Sequence, residues 1–312
     1  MNRVSTTVGE FARRGFEHPG NAARTWQDWR ERLDSEPPVP LHAFSRAADR
    51  DQALECMVGI GEREPALLAR IAVAPEWLER ALLVLGGSSV LARFLVRNPG
   101  ELEALETAPG PRREGWKEYI RSRAVDESGQ VDADLLRRAN HAALVQIAAR
   151  DLASEDPLFL VDDIAAELSH VADAVLECAL ERARAEVPGS SSVRIAVVAM
   201  GKAGAEELNY ISDVDVIHIA EPVDGGDHDE AMRLGTKVCA AMARICSAHT
   251  SEGTIWPVDA ALRPEGNAGP LVRSLASCAA YYGKWAKNWE FQALLKARPA
   301  AGDRELGQAF CD

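Results

Sequence analysis

The sequence predicts an α+β fold, a long helical region followed by a smaller domain built on a small mixed sheet. Three observations lead there. Residues 1 to about 188 carry apolar positions at helical spacing, with no strand-like alternation. The run Pro188-Gly189-Ser190-Ser191-Ser192 then breaks that pattern and is the clearest linker in the chain. Beyond it, short β-branched runs alternate with helical segments.

The helical elements follow in order. "NAARTWQDWRERL" places Trp26, Trp29 and Leu33 on one helical face. From Glu64 to Glu106 a series of helices is punctuated by Pro75, Gly86-Gly87 and Pro99-Gly100. Pro75 suits the first turn of a restarted helix, and Ser88 or Ser89 can cap the next one. Gly86-Gly87-Ser88-Ser89 has the composition of a phosphate loop, but no strand acid follows it, so it reads as a helix break. Asp132 to Ser154 puts Leu135, Leu136, Ala139, Ala143, Ile147 and Leu152 on a broad apolar stripe, and Leu160 to Val187 is the longest periodic helix. The organisation expected is therefore a helical region at 1–130, lead-in helices at 131–190 and a sheet domain at 191–312.

After the linker, Val193 to Met200 and Val214 to Ile219 read as buried strands. Asp229 to His249 reads as a helix, and "TIWPVDAAL" as a third strand whose Pro257 suggests an edge or a bulge. Ser274 to Ala297, rich in aromatics, reads as a final helix.

Composition narrows the classes. With 312 residues, 47% hydrophobic and 27% charged, the chain can bury a core and is not a disordered polymer. Its net charge of −13 argues against coating nucleic acid, which needs a basic face. No apolar run approaches the roughly 18 residues of a membrane-spanning helix, and "MNRVSTTVGEFARRGFEHPG" has no signal-peptide core. The six cysteines form no CxxC pair and read as reduced, mostly buried thiols, with Cys239 and Cys246 on one helix as core residues. The cytoplasm is the expected compartment, without nucleic-acid or membrane partners.

The chemistry concentrates in "RIAVVAMGKAGAEELNYISDVDVIHIAE", Arg194 to Glu221. Residues i and i+2 of a strand share a side, so Asp213 and Asp215 sit together at the entrance of a core strand. Two adjacent carboxylates repel unless a cation lies between them, and a hard oxygen pair suits Mg²⁺. Asp259, in the third strand, can bring a third acid to the same sheet edge, the donor set of a two-metal site. Gly201-Lys202 stands just upstream; glycine lets a phosphate approach the backbone, and "AGAEEL" can start a helix whose first amides face an anion. This is not a Walker A loop, because Ala203 follows the lysine. A lone DxD or Gly-Lys is weak; the conjunction of Gly-Lys, "ELNYISDVD" and a later strand acid followed by "LRPEG" is specific.

That conjunction resembles the nucleotidyltransferase signature of the glutamine synthetase adenylyltransferase/deadenylylase family. "GKAGAEELNYISDVDVI" carries the likeness, and "VDAALRPEGNAGPLVRSLASCAAYYGKWAKNWEFQALLKARPAAGD" extends it. It is strongest over about Leu135 to Asp303 and weaker over residues 1 to 130, which look like the start of an actinobacterial-type member. The resemblance implies a DNA-polymerase-β-like nucleotidyltransferase domain. It implies Asp213, Asp215 and Asp259 as metal ligands, and Gly201, Lys202, Asn209, Ser212, Arg263, Lys296 and Arg298 around the nucleotide. Many members carry an arginine where this chain has Ala261, which leaves one cation fewer. Trp289 and Glu290 are expected to serve packing. The implied cofactor is Mg²⁺, with ATP, ADP or AMP and inorganic phosphate as substrates. The implied reaction, at the N-terminal copy of a longer bifunctional enzyme, is removal of AMP from an adenylylated tyrosine of glutamine synthetase by phosphorolysis, in control of nitrogen assimilation. The family continues into a helical bundle and a second catalytic half, so the sequence is expected to be a fragment whose closing bundle is missing. The alternative is a catalytically incompetent docking module for glutamine synthetase or a PII-type signal protein. A small-molecule nucleotidyltransferase fits less well with the large helical half.

Overall fold

The structure is a computed structural model that describes residues 7–111 and 115–312. Two compact units divide the chain, one of residues Met1–Gly110 with Leu144–Leu160, the other of Pro111–Ala143 with Val161–Asp312.

The first unit is helical: α1 (Val8–Arg13), α2 (Pro19–Leu33), α3 (Arg50–Arg63), α4 (Pro65–Ala72), α5 (Pro75–Gly87) and α6 (Ser89–Arg97), with 3₁₀ segments Leu41–Arg46 and Pro99–Leu105. Prolines open α2, α4 and α5 at the position where a missing N–H costs no helical bond. An aromatic cluster anchors the core: Phe11 meets Phe16 at 5.0 Å and Trp26 meets Trp29 at 6.0 Å, both edge-on. Leu33 departs from the expected stripe. It ends α2 beside a left-handed Asp34 and is 41% exposed. The Gly86-Gly87 pair is a packing device. A Cβ on Gly86 would stand 2.8 Å from the Asp49 carbonyl, and Ser88 then caps α6 by accepting from the Leu91 N–H.

Three helices come next along the chain: α7 (Trp116–Ala124), α8 (Ala133–Ala153) and α9 (Pro157–Glu186). α8 is less uniformly apolar than its stripe suggested: Arg137, Asn140 and His141 are buried while Leu152 is 42% exposed. Arg137 donates to the carbonyls of Ile245 and Ala248 at 2.7 and 3.3 Å, satisfying the end of a later helix.

The second unit carries the sheet. Its elements are β1 (Val193–Ala199), α10 (Gly201–Gly204), β2 (Val214–Pro222), α11 (His228–Ser247), β3 (Val258–Asp259), β4 (Val272–Arg273), α12 (Leu275–Tyr282), α13 (Asn288–Leu294), β5 (Arg298–Gly302) and α14 (Arg304–Cys311). The strand order is β3-β2-β1-β5. β1 is antiparallel to β2 and β5; the other edge of β2 takes β3 and then β4, both parallel. The expected α+β class and mixed sheet are what the fold contains. Ala196, Val198, Ile217 and Ile219 pack one face against Cys278 of α12 and Leu306 of α14. On the other, α11 approaches so closely that a Cβ on Gly235 would lie 3.0 Å from Ala220. Cys239 and Cys246 are fully buried on α11, as expected.

Two elements differ from the sequence reading. The third strand shrinks to two residues, because its pairing with β2 begins only after Pro257, whose carbonyl accepts from the Val214 N–H at 3.0 Å. The final helix splits into α12 and α13 at Gly283, and an edge strand, β5, follows. "RPAAG" gives no strand signal, yet an edge tolerates its proline.

Candidate active site

The site is built where β1 hands over to β2. The Met200 N–H donates to the Asp215 carbonyl at 2.8 Å, pinning the end of one strand to the start of the next. The chain then makes the single turn Gly201–Gly204, shorter than the helix expected from "AGAEEL". Gly201 sits at φ +53°, and a Cβ there would stand 2.3 Å from Asp215 Oδ2. Only glycine allows both the conformation and the contact.

Asp213 and Asp215 flank Val214 at the start of β2, and the parallel register sets Asp215 beside Asp259. One carboxylate oxygen from each of the three lies within 4.8 Å of the others. Asp213 is exposed; Asp215 and Asp259 are half-buried. The Ala261 N–H donates to Asp259 Oδ1 at 2.7 Å and fixes that carboxylate, while Ser212 Oγ lies 3.4 Å from Asp213 Oδ1. Burial raises the Asp215 carboxyl above the ordinary range, and repulsion from Asp213 and Asp259 adds to it; Lys202 pulls the other way. The Lys202 ammonium makes no hydrogen bond or ion pair with the described residues. Asn209 is exposed on the loop leading to β2.

The remaining cations are engaged by protein partners. Arg263 donates to the carbonyls of Ala260 (2.7 Å), Gly269 and Pro270 (each about 3.2 Å), closing the loop between β3 and β4. Lys296 pairs with Glu207 at 2.8 Å. Arg298 forms a two-pronged pair with Asp173 and donates to the Ala203 carbonyl at 3.0 Å. The structure therefore brings together Gly201, Lys202, Ser212 and the three aspartates, and turns Arg263, Lys296 and Arg298 onto other groups.

The family description "Glutamate-ammonia ligase adenylyltransferase" matches residues 78–312. The chain belongs to this family. It is 40% identical to the "Bifunctional glutamine synthetase adenylyltransferase/adenylyl-removing enzyme" of Cutibacterium acnes, over 100% of this chain and 33% of that protein. The protein of the same name from Streptomyces avermitilis is 44% identical over 99% of this chain and 31% of its own length. That of Mycolicibacterium smegmatis is 41% identical over 87% and 28%. The chain spans about a third of the length of the curated relatives it matches.

Within this adenylyltransferase-family chain, position 261 contributes a backbone N–H to Asp259 where an arginine was expected in many members. Sequence reasoning passed over Asp173, Glu206 and Glu207, the partners of Arg298 and Lys296. Glu206 and Glu207 stand inside the quoted Gly-Lys stretch and Asp173 on α9, but nothing in their spacing points to positions 296 and 298, so only the fold pairs them. It also passed over His218, fully buried in β2, where desolvation pushes the imidazole down to about 4 and keeps it neutral in the core. Trp289, expected to pack, is 50% exposed, whereas Glu290 is buried and accepts from Tyr281 and the Lys287 N–H, each at 2.8 Å. No described helix is long and apolar enough to cross a membrane.

Proposed function

We propose that this chain holds the centre of a divalent-metal-dependent nucleotidyl transfer, and that the reaction removes AMP from an adenylylated tyrosine of glutamine synthetase by phosphorolysis. The observation that carries the reading is the meeting of Asp213, Asp215 and Asp259 beside the Gly201-Lys202 turn. Three mutually repelling carboxylates, two of them half-buried, are a hard-oxygen donor set that fits Mg²⁺. These three residues would hold it, and when bound it neutralises charge on phosphate oxygens.

The chain's own groups do the rest. Gly201 leaves the backbone open to a phosphate, and Lys202 offers an unengaged ammonium to its charge. Ser212 and Asn209 flank the acids as neutral hydrogen-bonding groups. An oxygen of inorganic phosphate forms a bond to the AMP phosphorus as the bond from phosphorus to the tyrosine oxygen breaks. The attacking phosphate's proton passes to the tyrosine oxygen, so ADP leaves and the tyrosine hydroxyl of glutamine synthetase is restored. Such a step depends mainly on positioning and charge stabilisation. In this reading residues 191–312 form the transferase domain and 131–190 lead into it. Removal is favoured over addition because residues 1–130 resemble the start of an actinobacterial-type member, where the removing copy would sit. Glutamine synthetase is accordingly the partner, as the relatives' names support.

The test is to mix the chain with adenylylated glutamine synthetase, Mg²⁺ and phosphate and to follow ADP. Wild type releases ADP, and Asp215→Asn slows release by at least about 10²-fold. No ADP from wild type would overturn removal, and AMP incorporation from ATP by the same chain would reverse the direction.

A further inference from the structure

Arg298 opens β5, far from the acids in sequence. Its Nη1 and Nη2 take the two carboxylate oxygens of Asp173 on α9 at 2.5 and 3.1 Å. Nη2 also donates to the carbonyl of Ala203 at 3.0 Å, and Nε stands 3.8 Å from Glu206. Both side chains are largely buried, 24% and 20% exposed. Ala203 belongs to the Gly201–Gly204 turn. The front of that turn touches Asp215 through Gly201. At its other end the turn is pressed so tightly on the segment before β5 that a Cβ on Gly204 would lie 2.0 Å from the Lys296 carbonyl.

A cavity of about 470 Å³ is walled by Arg298, Asp173, His170, Trp116 and Lys117. None of the three aspartates of the site lines it. The guanidinium is thus engaged by Asp173 and the turn's own backbone, outside the cluster of acids. A planar fork bound two-pronged to a carboxylate is preorganised and directional. For Arg298 to swing towards a nucleotide phosphate, it would have to leave Asp173 buried and unpaired, which is strongly unfavourable.

We propose that Asp173 and Arg298 are positioning residues that brace the Gly201–Gly204 turn through the Ala203 carbonyl, and that Arg298 is not a nucleotide ligand. The proposal rests on the reading of the acid site as a nucleotidyl-transfer centre. The brace runs from α9 through the guanidinium to the Ala203 carbonyl, and from the turn to Asp215. It sets where the Gly-Lys backbone stands relative to the carboxylates.

Asp173→Asn separates the two roles, because it weakens the brace while freeing the guanidinium. If Arg298 met the nucleotide directly, this variant would bind ADP as well as wild type or better. Bracing predicts that Asp173→Asn and Arg298→Lys each weaken ADP binding in the presence of Mg²⁺ by about 10- to 100-fold. It also predicts that the double variant is no worse than the weaker single, since both break one unit. Mn²⁺ binding by the full chain without nucleotide should stay near wild type in both. Amide exchange read over residues 200–208 should quicken in both singles while β1 and β2 keep their protection. Unchanged exchange in that segment would overturn the proposal. So would Asp173→Asn binding ADP normally while Arg298→Lys loses it. A wild-type chain that bound no ADP would refute the reading of the site instead, and the exchange measurement would still decide the brace.

Discussion

At the scale of single residues, Asp215 holds the most information. Its carboxyl is raised by burial first and by its two acidic neighbours second. A folded-state value above the unfolded one means that the folded chain holds this proton more tightly. Without metal, the group therefore adds stability as pH falls through the raised value towards the ordinary one, and its ionised form costs stability near neutrality. Asp215→Asn is accordingly expected to raise the melting temperature of the metal-free chain at about pH 7 while slowing the proposed ADP release, a pairing that a calorimeter and an ADP assay would check. In wild type, Mn²⁺ affinity should fall on acidification at a higher pH than for an ordinary carboxylate site, because proton and metal compete for one oxygen pair. Gly201→Ala is the second residue-scale test. The left-handed backbone costs a side chain about 1–2 kcal/mol, and the new methyl would collide with Asp215 Oδ2. The chain should still fold by circular dichroism but lose Mn²⁺ binding. The three aspartates could be read from sequence because strand periodicity and a nearby Gly-Lys turn are local patterns. The engagement of Arg263, Lys296 and Arg298 could not, because their acceptors are loop carbonyls and acids distant in sequence.

At the scale of elements, the helices of the first unit and the paired strands β1 and β2 announce themselves through period and β-branching. What stayed hidden is the region from α12 to α14. Aromatic periodicity across "YYGKWAKNWEF" looks continuous, yet Gly283 ends one helix and another starts at Asn288, with Glu290 in its first turn. Glu290 is 5% exposed and accepts from both the Tyr281 hydroxyl and the Lys287 N–H, joining the two helices across the break. Glu290→Ala should cost about 1–3 kcal/mol, measured by urea unfolding, with Glu290→Gln recovering part of it through the one oxygen it retains. A loss within error would mean that water replaces both bonds.

At the scale of the whole chain, the six cysteines are all free thiols. Burial pushes Cys178, Cys239 and Cys246 up to about 12, and Cys56 and Cys278 up to about 11. A thiol reagent at about pH 8 should therefore react slowly with the native chain and with all six groups once denatured. Cys56 and Cys311 are half-buried and the other four buried, so fast reaction of three or more in the native state would contradict the burial. Asp259 reaches its partners by a pairing only two residues long, Val214 with Val258 and Asp215 with Asp259. Its address is thus a matter of odd and even rather than of distance along the chain. The loop before it can lengthen or shorten freely, but a slip of a single residue in that short ladder would swing the third carboxylate to the opposite face and leave the other two without it.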